Sequence, residues 1–215
     1  MKSIFHAQLT LVGVLLSGCM FKPVTVSTRH FALAPIPTSE PRPIAQTGSE
    51  HLSVGIGFVK MPSYLLRNSI AVRNGANEVE YLENALWSER LDESFQRDLA
   101  ANLAELLHSD SIYLTDWAHD QVTVAVYINV QQFDVDINGH GTLIAQWRIT
   151  APGSDVPLKS GRTWLERTGA SPRGKPEVIA ETLSDLAAQF SRDLAQSIRE
   201  AHKSQQAFVT DARAN

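Results

Sequence analysis

The sequence predicts an α+β fold: a single antiparallel or mixed sheet with two long amphipathic helices packed on one face, an α/β sandwich. Three observations carry this. Two segments repeat apolar residues at helical spacing, Leu91 to Leu107 and Ile179 to Ile198. Several others alternate apolar and polar residues, the pattern of half-buried strands. Along the chain, strands come first, then a helix, then more strands, then a helix. That order does not give the strict strand–helix alternation of a parallel doubly wound sheet.

The elements follow in turn. His30-Phe31-Ala32-Leu33-Ala34 reads as a short strand. Pro35, Pro37, Pro41 and Pro43 punctuate the polar stretch up to Glu50, which reads as extended loop. Leu52, Val54, Ile56 and Phe58 fall on one face of a strand running to Lys60. Segments 70–73 and 78–83 read as a hairpin, because Asn74-Gly75 supplies the positive φ that tight turns require. Leu91, Phe95, Leu99, Leu103, Leu106 and Leu107 make the stripe of a helix of about 18 residues. Ser88 is its expected N-cap, since a hydroxyl there accepts an orphan backbone N–H.

Val122, Val124, Val126, Ile128 and Val130 share one strand face, and Phe133, Val135 and Ile137 continue in the opposite phase. A period-2 pattern shifts phase without changing face only where one extra residue is inserted. A β-bulge is therefore expected at Gln131-Gln132. Asn138-Gly139 turns the chain, Leu143, Ala145, Trp147 and Ile149 line the return strand, and Thr163 to Glu166 adds another. Pro176 and Glu177 open the last helix, where proline needs no N–H and an acid suits the dipole. Its stripe is Ile179, Leu183, Leu186, Phe190, Leu194 and Ile198. Residues 204–215 are polar and read as a flexible tail.

The front of the chain follows a different logic. Leu16-Ser17-Gly18-Cys19 closes an apolar stretch that starts at Ile4 behind Lys2, and Cys19 is the only cysteine. A lone cysteine forms no internal disulfide. Small residues before it mark where a bacterial secretory signal is cut and the cysteine given a lipid. The stretch is shorter than the roughly 20 apolar residues of a bilayer span. Residues 1–18 are thus expected to be a lipoprotein signal peptide, with Cys19 the lipid-attachment residue. Residues 19–29 form a lipidated tether and 30–203 the folded domain. Ten extended residues reach about 33 Å, and two or three acyl chains anchor stably at roughly 0.8 kcal/mol per buried CH₂. Met20, not an aspartate, follows the cysteine. This favours the periplasmic face of the outer membrane over retention at the inner one.

The chain carries a net charge of −4, and removing the signal takes away Lys2 and no acid. No block of lysine or arginine appears, which argues against nucleic acid and against a basic lipid-binding patch. At 43% hydrophobic and 20% charged residues the chain can bury a core.

Little points to catalysis. His108, Asp110, Asp116, His119 and Asp120 cluster in a loop-rich stretch, but their spacing matches no standard metal site. Asp134 and Asp136 share a strand face and read as a solvated face beside a hairpin rather than an acid/base pair. There is no Gly-x-Ser-x-Gly elbow and no Gly-Lys-Ser/Thr phosphate loop. No cofactor is implied. Trp87 and Trp147 read as core aromatics. Met61, Tyr64, Leu65, Leu66 and Arg67 lie in a proline-containing apolar loop between strands. Such a loop either folds back over the core or contacts a neighbouring subunit or partner; it is the candidate interface.

Several of these segments together resemble a family. Val59-Lys60-Met61-Pro62-Ser63-Tyr64-Leu65-Leu66-Arg67, followed by Ile70-Ala71-Val72-Arg73, is similar to the start of the PqiC family, the ABC-type transport auxiliary lipoproteins of Gram-negative bacteria. Leu86-Trp87-Ser88-Glu89-Arg90-Leu91 is similar to that family's Trp-Ala-x-Pro-Leu, with Arg90 in place of the proline and Ser88 in place of the alanine. The hairpin Phe133 to Arg148, with Asp134, Gly141 and Trp147, and the strand His30-Phe31-Ala32-Leu33 also fit. No one motif is specific; their order, spacing and lipobox together are.

The resemblance implies a non-enzymatic, outer-membrane-anchored subunit of an MCE-type intermembrane lipid transport system. It implies a homo-oligomeric ring that docks an MCE-domain transport protein, with the ATPase in another chain. The alternative is a lipoprotein activator or assembly factor for peptidoglycan synthesis or a secretion channel. The two differ in the partner that co-purifies.

Overall fold

The computed structural model describes residues 27–37 and 52–214. Its elements are β1 (Arg29–Phe31), β2 (Val54–Ile56), a 3₁₀ turn (Ser63–Leu66), β3 (Ser69–Asn74), β4 (Glu78–Trp87), α1 (Leu91–Leu107), β5 (Ile112–Leu114), β6 (Val124–Asp136), β7 (His140–Thr150), β8 (Pro157–Thr168) and α2 (Glu177–Ala214). The strands form one mixed sheet and the helices pack together against it, as the α+β expectation requires. No helix among the described residues is long and apolar enough to cross a membrane.

β6 organises the sheet. One of its edges pairs antiparallel with β7, which in turn pairs with β8. Its other edge is shared: β2 runs parallel beside Val124 to Val126, and β3 runs parallel beside Val135 and Asp136. Between these two partners only an isolated bridge, Lys60 to Asn129, holds that edge. β5 extends the β2 branch, and β4 then β1 extend the β3 branch.

The expected bulge is present. The β6–β7 register shifts between Val130 and Gln132. Val124, Val126, Ile128 and Val130 are buried before it, and Phe133 and Val135 after it. The extra residue is what lets one long strand keep its apolar side on one core. In that core Phe95 of α1 meets the Phe133 ring edge-on at 5.2 Å, and the Phe190 ring of α2 lies at 5.9 Å. The leader crosses the helices. The Ala34 N–H donates to Ser184 Oγ at 3.0 Å and the Ile36 N–H to Asn102 Oδ1 at 2.7 Å.

The hairpin of β3 and β4 forms as expected. Several expectations change. Phe58 does not join Val54 and Ile56 in the core but is 74% exposed. β2 ends at Ile56, and the Tyr127 ring sits so close to Gly57 that a Cβ there would lie 2.9 Å from it. Ser88 does not cap α1. Its N–H is committed to the Phe31 carbonyl, and the cap is Arg90, which makes no side-chain capping bond and instead reaches Asp92 and Glu93. β5 adds a strand that the sequence pattern does not show, because three residues are too few for alternation. α2 continues past Lys203 to Ala214, through a stretch with no proline or glycine to stop it.

Candidate docking site

The gap between the two partners of β6 is filled by residues 57–68. Pro62 holds φ at −57°, and the Leu65 N–H closes back onto the Pro62 carbonyl at 3.0 Å, which makes the 3₁₀ turn. Leu65 enters the core, 4% exposed. Tyr64 turns instead to the side of β6 that alternates with Phe133 and Val135, where Asp134 lies buried.

Asp134 is therefore not a solvated surface acid; its side chain is 3% exposed. Burying a carboxylate is tolerated only when its charge and lone pairs are met. Here they are. Arg73 Nη2 donates to Oδ2 at 2.6 Å and Nε at 3.1 Å. The Tyr64 hydroxyl donates to Oδ2 at 2.7 Å, and Gln132 Nε2 donates to Oδ1 at 2.9 Å. Arg73 Nη2 also donates to the Tyr64 hydroxyl at 3.2 Å. Burial, then the hydrogen bond to Asp134, push the Tyr64 hydroxyl well above its ordinary value. The Asp134 carboxylate likewise holds the Arg73 guanidinium above its own. A second clasp runs outside: the Tyr81 hydroxyl donates to the Tyr64 carbonyl at 3.3 Å, and the Arg67 guanidinium stacks 4.5 Å over the Tyr81 ring. Tyr64 of the turn is thus tied through its hydroxyl to Asp134 and Arg73 and through its carbonyl to Tyr81, so the cluster is a lock.

The candidate interface residues are thereby sorted. Leu65 belongs to the core, Met61, Tyr64 and Leu66 are half-buried, and Ser63 and Arg67 face outward. Cys19 lies outside the described residues. Asp136 shares the strand face of Asp134 but caps the turn into β7: its Oδ1 accepts the N–H groups of Asn138 and His140, both at 2.8 Å. His108 ends α1 in the left-handed conformation at φ 53°. Among the described residues no three His, Cys, Asp or Glu side chains gather as a metal site. Trp87 is buried; Trp147 is half-buried over Gly161, with its indole N–H donating to Thr163. The lock joins residues from three separate segments and is not visible in local sequence pattern. Its signal is a carboxylate close after the bulge, on the strand side opposite Phe133 and Val135.

The sequence matches the family described as ABC-type transport auxiliary lipoprotein component over residues 31–195. The chain belongs to that family. It is therefore a transport auxiliary lipoprotein, a class that works at membranes. Two solved structures share its fold. One is of an uncharacterised protein, 19% identical, with TM-score 0.65, covering 80% of this chain and 99% of its own. The other is of a Xanthomonas campestris protein, 12% identical, with TM-score 0.63, covering 84% of this chain and 99% of its own. At these identities the likeness concerns the fold. No curated protein matches the sequence.

Proposed function

We propose that this transport auxiliary lipoprotein is anchored through Cys19 to the periplasmic face of the outer membrane. There it serves an MCE-type intermembrane lipid transport system as a non-enzymatic docking adaptor, assembled as a homo-oligomeric ring. One observation carries the reading: a transport-auxiliary family match across the folded body, behind a lipobox with Met20 after the cysteine. The locked 3₁₀ turn supports it. Tyr64, Arg73 and Asp134 present Ser63, Arg67 and the rim of Met61 and Leu66 on a fixed platform between the two branches of the sheet. Preorganised loops lose less entropy on docking. We assign contact with a partner or neighbouring subunit to this platform.

The test is extraction of the full-length lipoprotein from its own membranes. An MCE-domain protein should co-purify with it, and mass photometry should show a closed oligomer. Arg67→Glu should weaken that association with unchanged circular dichroism, since Arg67 is exposed. Recovery of a peptidoglycan synthase or a secretion channel instead would replace this reading with the activator one.

A further inference from the structure

On β8 the cations divide by face. Lys159 and Arg167, on the helix side, are ion-paired to Glu200 and Asp185 of α2. Arg162 is on the other side, across the register from Gln146, and two residues further along β7 is Arg148, itself opposite Tyr127 of β6. With Lys60 these arginines line one open groove on the sheet face away from the helices. None of the three is in an ion pair among the described residues, and no aspartate or glutamate lines the groove. In a chain of net charge −4 this is a local reversal of sign. Like charges left together repel, and an anionic partner relieves that.

The same face carries exposed aromatics. Phe58 is 74%, Trp164 60% and Tyr127 38% exposed. Arg148 stacks 4.7 Å over Tyr127 and Arg162 lies 5.7 Å from the Trp164 ring centre. Trp164 gives its indole N–H to Glu166, at the rim. Tryptophan, tyrosine and arginine are the residues in which binding energy concentrates at protein interfaces. β8 adds a further feature. It pairs with β7 only, so among the described residues no strand covers its outer edge. Unpaired strand N–H and C=O groups are completed by another polypeptide and not by a lipid.

We propose that an acidic segment of a protein partner docks across this face and along the open edge of β8. Its carboxylates meet Lys60, Arg148 and Arg162, and its apolar side chains meet Phe58, Tyr127 and Trp164. This deepens the adaptor reading and rests on it for the partner's role.

The experiment places p-benzoylphenylalanine at Ser160 of the full-length lipoprotein in its own membranes. Mass spectrometry then reads the photo-crosslinked peptide. An aspartate- or glutamate-rich segment of another protein is expected. Its yield should fall about tenfold with Arg148→Glu plus Arg162→Glu, the loss expected for close interfacial charge pairs, and again with Phe58→Asp. The thermal melts of these surface variants should be unchanged. Crosslinks into lipid, into a second copy or into a neutral or basic segment would overturn the proposal, as would no crosslink or an unaffected yield. An acidic partner that is no transport component leaves this docking intact and removes the adaptor reading. A transport component that co-purifies equally well with the arginine variants does the reverse.

Discussion

Arg73 and Asp134 are 61 residues apart in the chain, yet the guanidinium nitrogen and the carboxylate oxygen meet at 2.6 Å. Their strands are neighbours only over the last residues of β6. The pair therefore sits where the sheet closes again beyond its gap, and Tyr64 ties the intervening turn to the same carboxylate. Removing one member of a buried pair leaves the other uncompensated. Arg73→Met is expected to destabilise the fold by about 3 kcal/mol. Tyr64→Phe, which deletes one hydrogen bond to a charged group, should cost about 2 kcal/mol. Urea titration measures both. A cost below about 0.5 kcal/mol for Arg73→Met would show that the pair is no lock.

The same lock decides how the turn is to be probed. Aspartate at Tyr64 or Leu65 would put a charge into the core or against Asp134, and such variants should lose fold and assembly together. Arg67 separates the two effects. Arg67→Glu gives up only a stacking contact with Tyr81, worth about 0.5–1 kcal/mol at an exposed site. A melt shifted by no more than that, alongside weakened association, would locate the contact at the turn; equal loss in melt and association would not.

Asp136 predicts an acid-dependent stability. Partial burial opposes its charge, but the N–H groups of His140 and Asn138 prevail and hold it below the usual carboxylate range. A depressed folded-state pKa adds stability above the unfolded value of about 3.9, and that stability is lost as pH falls through the folded one. Asp136→Ala should therefore cost about 1 kcal/mol at pH 7, and the gap to the natural protein should narrow as pH falls from the unfolded value of about 3.9 through the lower folded one. A gap that stays constant across that window would assign the cost to something other than the carboxylate.

Asp98 predicts the opposite sign. It is buried on α1; among the described residues its Oδ2 has no hydrogen-bond partner, and only Arg97 approaches Oδ1, at 3.5 Å. Burial raises its pKa, with Arg97 pulling against it. A raised carboxylate favours the fold below the unfolded value and loses that contribution as pH rises through the folded one. Asp98→Asn should thus stabilise at pH 7 by roughly 1 kcal/mol, or about 2–4 °C in melting temperature for a domain of this size. It should do nothing once both states are protonated. A lower melting temperature at pH 7 would show that the charge is wanted where it lies.

What the sequence made legible follows the range of each signal. The two helical stripes, the β3–β4 hairpin and the bulge near Gln131 are local periodicities, and they appear where expected. Phe58 escapes the core because alternation says which side a residue faces only while the strand lasts, and β2 ends at Ile56. Asp134 departs from the expected solvated face for a related reason. Its partners Tyr64 and Arg73 come from distant segments, so composition around it showed only a strand with two acids. Ser88 has the chemistry of a cap, but its backbone is held by the distant β1 and the helix begins only after Arg90, two residues further on.

The loop after β5 gives the last prediction. Trp117 lies against Gly55 on the sheet side opposite Val54 and Ile56, and a Cβ at Gly55 would stand 2.4 Å from indole Cε2. The glycine is needed for space and not for a special φ, since its backbone is ordinary strand paired to Tyr113 and Ala125. Alanine there can keep the strand only by displacing the indole. Gly55→Ala is expected to cost about 1–3 kcal/mol, as overpacking does. It should also shift tryptophan emission to the red as Trp117 gains water. Trp117→Ala in the same background should recover most of the loss, because the clash goes with the ring. If the double variant is no more stable than Gly55→Ala, the strain lies in the strand itself and the indole is not what the glycine accommodates.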